Sequence, residues 1–118
     1  MSLFTAVDTM HLSSQALVPL DTRAAVSEEV TRINKERLAS AHQALDRAAR
    51  TLTRAGWKVD RVVTTGAPLR DLLATVAKKH ADLVVVGAKG VTGVRHLLLG
   101  SVAEGALNHS PVPVFIVR

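Results

Sequence analysis

The run Leu83-Val84-Val85-Val86, opened by Asp82 and stopped by Gly87, is the feature that most narrows the possible folds. A run this short and β-branched, bounded by glycine, predicts a strand buried on both faces. Strands of that kind belong to parallel sheets, whose two faces are covered by helices. Parallel neighbours also need a long crossover, usually helical, so the run points to the α/β class.

The flanking sequence supplies the other elements. Leu3 to Val7 predicts a first strand, followed by a polar loop from Asp8 to about Gln15. Pro19 and Asp21-Thr22 mark the entry to a long helix. From Val26 its apolar residues recur at helical spacing through Val30, Ile33, Leu38, Ala41, Leu45, Ala48 and Leu52, and Gly56 stops it. Trp57 to Thr64 alternates as a strand, and Thr65-Gly66-Ala67 turns into a helix that starts at Pro68 and ends near His80. After the strand at Asp82–Val86 come a glycine-rich loop, a helix from about Leu98 to His109, and a last strand over Val112–Val117. The order βαβαβαβ predicts an open parallel sheet with helices on both faces, a Rossmann-like arrangement. With 118 residues and no internal linker, residues 1–118 are expected to form one domain.

Composition removes several chemistries. The absence of cysteine excludes disulfides, iron–sulfur clusters and a thiol nucleophile. The five histidines show no metal-ligand spacing. No apolar run approaches the ~20 residues that span a bilayer, and the amino terminus lacks a secretory pattern. These features predict a cytoplasmic protein without a membrane partner. The net charge of +5 suits an anionic partner. No nucleic-acid-binding motif accompanies it and the long helix mixes its bases with acids, so nucleic acid is not the expected partner.

The chemistry lies between Asp82 and Ser110. The loop after Gly87 leaves the carboxyl edge of the sheet, where open α/β sheets bind ligands. Gly87, Gly90 and Gly93 follow at three-residue intervals, and glycine lets backbone N–H groups approach a phosphate without a Cβ in the way. Gly100-Ser101 then opens the last helix, whose first N–H groups and dipole favour an anion, with the Ser101 hydroxyl as a further donor. The alternative is a tight turn with no ligand. Neither a P-loop nor the dinucleotide G-x-G-x-x-G spacing is present. Lys89, Arg95 and His96 either neutralise phosphate charge or are solvated. Asp82 and Glu104 either assist a magnesium ion or sit at element edges in water. Ser101 has no base partner in the sequence, so its better role is hydrogen-bond donor.

Gly87-x-x-Gly90, nine residues, then Gly100-Ser101 resembles the ATP-binding signature of the universal stress protein family. Leu97 to Glu104, and the closing Ser110-Pro111-Val112-Pro113-Val114, are similar to that family's ending, and the likeness extends over nearly the whole chain. The resemblance implies ATP, alone or with Mg2+, with Gly87, Gly90, Gly100 and Ser101 on ribose and phosphates and Val86 and Val102 lining the site. The end of the first strand, Ala6 or Val7, would meet adenine. It also implies a fold of the adenine nucleotide α-hydrolase type and a homodimer through Val112–Val117, whose Val- and Ile-rich edge invites pairing. The family's opening strand, with its nucleotide-contacting Asp, has no counterpart here, so the domain is expected to be truncated at its amino terminus. Without that strand, either the remaining strands pair directly or another chain fills the gap.

Three functions therefore compete: an ATP-binding stress-response or regulatory domain with at most slow ATP hydrolysis, a dimerising interaction module that has lost nucleotide binding, and a nucleotidyl transferase-like enzyme. The last needs catalytic residues for which the chain has little room.

Overall fold

The computed structural model describes residues 1–7, 22–88 and 99–118. The element order is β1 (Ser2–Val7), α1 (Arg23–Arg54), β2 (Asp60–Thr65), α2 (Pro68–Lys78), β3 (Val84–Gly87), α3 (Ser101–His109) and β4 (Val114–Val117). This is the expected alternation. The chain divides into two compact units, Met1–Gly66 and Ala67–Arg118. Its strands pair two by two, β1 with β2 and β3 with β4, both parallel.

In the first unit, β1 and β2 are in register from Ser2↔Asp60 to Val7↔Thr65. Their amino ends are fastened by three contacts: the Met1 amino group donates to the Lys58 carbonyl at 2.8 Å, the Asp60 N–H donates to the Met1 carbonyl at 2.9 Å, and Ser2 Oγ donates to Asp60 Oδ1 at 2.6 Å. Helix α1 packs on both strands. Its 32 residues give a rod of ~48 Å, against ~20 Å for a six-residue strand, and its burial is confined to one end. Leu45 and Ala49 are buried there, while Val26, Val30, Ile33 and Leu38 are half-exposed. The buried alanine is Ala49, four residues after Leu45, and not the expected Ala48, which is exposed. Arg61 of β2 pairs with Asp46 of α1 at 2.8 Å and ties helix to strand. Arg32 bridges Glu29 and Glu36 along the exposed face, and its hydrogen bond holds the Glu29 carboxyl below its ordinary value. A carboxyl depressed in this way stabilises the fold above its ordinary pKa and loses that contribution as pH falls. In full solvent the effect is small.

Helix α1 ends in a complete Schellman motif. The Trp57 N–H donates to the Leu52 carbonyl at 3.1 Å, and the Gly56 N–H to the Thr53 carbonyl at 3.0 Å, with Gly56 at φ +95°. This corrects the start of the second strand. Trp57 belongs to the helix cap and is 54% exposed, and pairing begins only at Asp60.

The second unit buries Leu72 and Val76 of α2, Val84 and Ala88 at β3, and Ala103 and Ala106 of α3. Helix α2 opens with Pro68 in its first turn and closes on the same motif as α1, its last residue Lys78 lying just ahead of the expected His80. Here His80 occupies the left-handed position, φ +50°, while the Ala81 N–H donates to the Val76 carbonyl at 3.1 Å and the His80 N–H to the Ala77 carbonyl at 3.3 Å.

Strand β3 is shorter than expected, starting at Val84, and it is not buried on both faces. Val84 is 6% exposed and Val85 58%. Strand β4 begins at Val114, because Pro113 has no N–H to donate, although its carbonyl accepts from the Val84 N–H at 3.0 Å. The preceding residues form a turn in which Ser110 Oγ bonds the Val112 backbone.

The two helix stops yield a paired test. His80→Gly should stabilise the protein by about 0.5–1 kcal/mol, by relieving a side chain in the left-handed region. Gly56→Ala should destabilise it by about 1 kcal/mol or more for the converse reason. Urea denaturation of both variants beside the parent chain measures each sign.

Candidate functional site

The residues singled out in the sequence meet where β3 gives way to α3. Strand β3 ends at Gly87, in register with Val117 of β4. One residue further, the Ala88 N–H donates to the Val117 carbonyl at 2.7 Å, and the Ala88 carbonyl accepts from the Gly100 N–H at 2.7 Å. Ala88 thus joins the end of the β3–β4 ladder to the residue that opens α3. The chain leaves the carboxyl edge at Ala88 and is back beside it at Gly100. Lys89, Gly90, Gly93, Arg95 and His96 lie on the excursion between, outside the described residues.

Gly100 is the N-cap of α3, with φ −60° and ψ 155°, and its carbonyl accepts the first intrahelical bond, from the Glu104 N–H at 2.9 Å. The N–H groups of Ser101, Val102 and Ala103 precede that bond and have no acceptor within the helix. An N-cap normally carries a Ser, Thr, Asn or Asp oxygen that satisfies one such donor, and glycine carries none. The helix therefore presents backbone donors and the positive end of its dipole at the edge where β3 stops. The Ser101 side chain is exposed and Val102 is half-buried. Glu104 is exposed in the first turn, where its charge favours the helix and opposes an incoming anion.

Val86, Gly87, Gly100, Ser101 and Val102 are thus gathered by one strand end and one helix start. Val86 is half-buried, in register with Ile116, and Gly87 is exposed. Val7 and Ala6 belong to the first unit. Val7 is buried at the carboxyl end of β1 beside Thr65, and Ala6 is half-buried beside Thr64. Asp82 is exposed ahead of β3. The last helix starts at Ser101 and not near Leu98, since Leu99 and Gly100 are non-helical. The residue missed by sequence reasoning is Ala88, which acts through its backbone. Its only signal was a small side chain directly after the strand-ending glycine. A shallow open depression on α1 is lined by the side chains of Ser27, Glu28, Thr31, Arg32 and Lys35, with no strand end or helix start beside them.

Parallel strands, helical crossovers and a glycine-bordered helix start at a strand's carboxyl end define a Rossmann-like α/β protein. The model of the universal stress protein family matches residues 5–118, and the chain belongs to that family. It is similar to the universal stress protein MJ0531 of Methanocaldococcus jannaschii, 34% identical over 76 residues that make up 64% of this chain and 45% of that protein. It is also similar to the universal stress protein YxiE of Bacillus subtilis, 30% identical over 93 residues, 79% of this chain and 60% of that one. The matched region thus spans about half the length of these relatives. Among solved structures, the universal stress protein UspA from Lactobacillus plantarum shares the fold with a TM-score of 0.78 at 17% identity, over 99% of this chain and 76% of that chain. Among the described residues, no helix is long and apolar enough to cross a membrane.

Helix α3 packs against α2. A Cβ built at Gly105 would collide with the Leu69 side chain. Gly105→Val should therefore lower stability by about 1–3 kcal/mol through overpacking, read as a lower thermal midpoint.

Proposed function

We propose that this chain is an adenine-nucleotide-binding stress-response domain whose ligand is ATP, with Mg2+ as the accompanying cation. The observation that carries the reading is the Ala88–Gly100 hydrogen bond, which sets the start of α3 against the carboxyl end of β3 behind an N-cap that has no side chain. An anion seated there would accept from the backbone donors of the first turn, and a Cβ at Gly87 or Gly100 would stand in its way. Gly87, Gly90, Gly100 and Ser101 take ribose and phosphates, and Val86 and Val102 line the site. Lys89 and Arg95 supply countercharge. No base catalyst is assigned, so the domain binds and signals, with at most slow ATP hydrolysis. It acts in the cytoplasm as a homodimer formed through Val112–Val117, and residues 1–118 work as one domain.

A second reading, a dimerising interaction module without nucleotide, draws support from one observation. Leu83, Val85, Phe115 and Val117 are all about half or more exposed. Titration calorimetry with ATP and Mg2+ separates the two readings. Saturable binding to the parent chain, abolished in Gly100→Val, is the expected result, and a folded parent that binds no nucleotide would sink the nucleotide reading. Glu104→Gln should tighten ATP by up to about fivefold, because it removes a negative charge from the first turn of the helix that receives the phosphates.

A further inference from the structure

The carboxyl end of α1, in the first unit, carries a cluster that the nucleotide reading leaves unused. From Arg47 to Val59 the chain has four cationic side chains, Arg47, Arg50, Arg54 and Lys58, and no acid. All four are exposed. Arg47, Arg50 and Arg54 stand at i, i+3 and i+7, so they share one face of the helix over about 10 Å of its length. None of the four takes part in an ion pair among the described residues. The acids that flank this stretch in sequence are engaged elsewhere, Asp46 with Arg61 at 2.8 Å and Asp60 with the Ser2 hydroxyl at 2.6 Å. The first half of α1 differs, since Arg32 is paired there with Glu29 and Glu36.

Trp57, the chain's one tryptophan, lies between Arg54 and Lys58 and is 54% exposed. Tryptophan is on average a well-buried residue, so an indole this open calls for a use. Its backbone is fixed, because the Trp57 N–H is held by the Leu52 carbonyl in the Schellman motif. We propose that Trp57, with Arg47, Arg50, Arg54 and Lys58, forms a binding patch for single-stranded nucleic acid, built from residues none of which belongs to the candidate nucleotide site. The indole takes the face of a base, and the cations around it take the adjoining phosphates. Aromatic stacking beside a basic track is how single strands are held without reading their sequence, so no recognition motif is required. In a duplex the base faces are closed against one another and are not offered to an indole. A lipid surface suits the patch less well. A helix lying on a membrane needs a continuous apolar face, and among the described residues of the first unit the exposed large apolar side chains are Met1 and Trp57.

A single tryptophan makes the patch its own probe. Titration with oligothymidine, and in a second arm with oligouridine, should quench Trp57 emission, and the tighter arm tells DNA from RNA. With a fluorescein-labelled strand read by anisotropy, Trp57→Ala should raise Kd about tenfold or more, and Trp57→Phe should recover most of that loss. Arg50→Glu should also raise Kd about tenfold or more. The parent's log K should fall with log salt at a slope of about −2 to −3, as expected for four cations on a single strand. Lys35→Glu makes the same change in net charge about 22 Å away along the helix, beyond the ~10 Å screening length at 0.1 M salt, and should leave Kd within twofold. Circular dichroism confirms that each variant is folded. Absence of quenching by either strand at low salt overturns the proposal. So does a Trp57→Ala variant that binds as tightly as the parent, or a Lys35→Glu variant weakened as much as Arg50→Glu. A blue shift of Trp57 on phosphatidylserine vesicles, with no response to either strand, would assign the patch to a membrane instead.

Discussion

Parallel pairing is the constraint from which the rest of this structure follows. Two parallel strands cannot be joined by a tight turn, because the chain must return to the starting end of the sheet before the second strand begins. In each unit a helix makes that return, α1 between β1 and β2 and α3 between β3 and β4. In the second unit the return brings the amino terminus of α3 to the carboxyl edge of β3. At β3 the two are locked together through Ala88, whose N–H continues the strand ladder and whose carbonyl receives the cap residue of α3. The candidate site is thus a by-product of the crossover, and glycine at the cap brings no side-chain acceptor to the backbone donors there.

The same constraint explains where the fold is thin. Two-stranded sheets are marginal by themselves and depend on what packs against them. The first unit meets this with one long helix, but only Leu45 and Ala49 of that helix are buried. The second unit covers one face of β3 and β4, with the small side chains Ala103 and Ala106 buried in α3. Small residues let that helix come close, and the approach of Gly105 to Leu69 shows how little space remains between α2 and α3.

Much of this was legible in the sequence where local physics decides. Gly56 and Pro68 mark their helix ends because their backbone preferences match a left-handed cap and a first helical turn. The strand at Val84–Gly87 was legible from its β-branched run. What escaped was decided by tertiary pairing. Trp57 to Val59 alternate as a strand would, yet the Schellman bonds of α1 claim Trp57 and β1 offers no partner before Asp60. His80 takes a left-handed position that sequence rules assign to glycine, because two backbone bonds outweigh the cost of its Cβ. At the site, the glycines and Ser101 stood out by type, whereas Ala88 works through its backbone and has no side-chain signature.

Double-sided burial is the most instructive miss. A continuous run such as Leu83-Val84-Val85-Val86 encodes burial on both faces, but a sequence does not say which body provides the second cover. Among the described residues Val84 is buried on one face, while Val85, Phe115 and Val117 on the other are exposed.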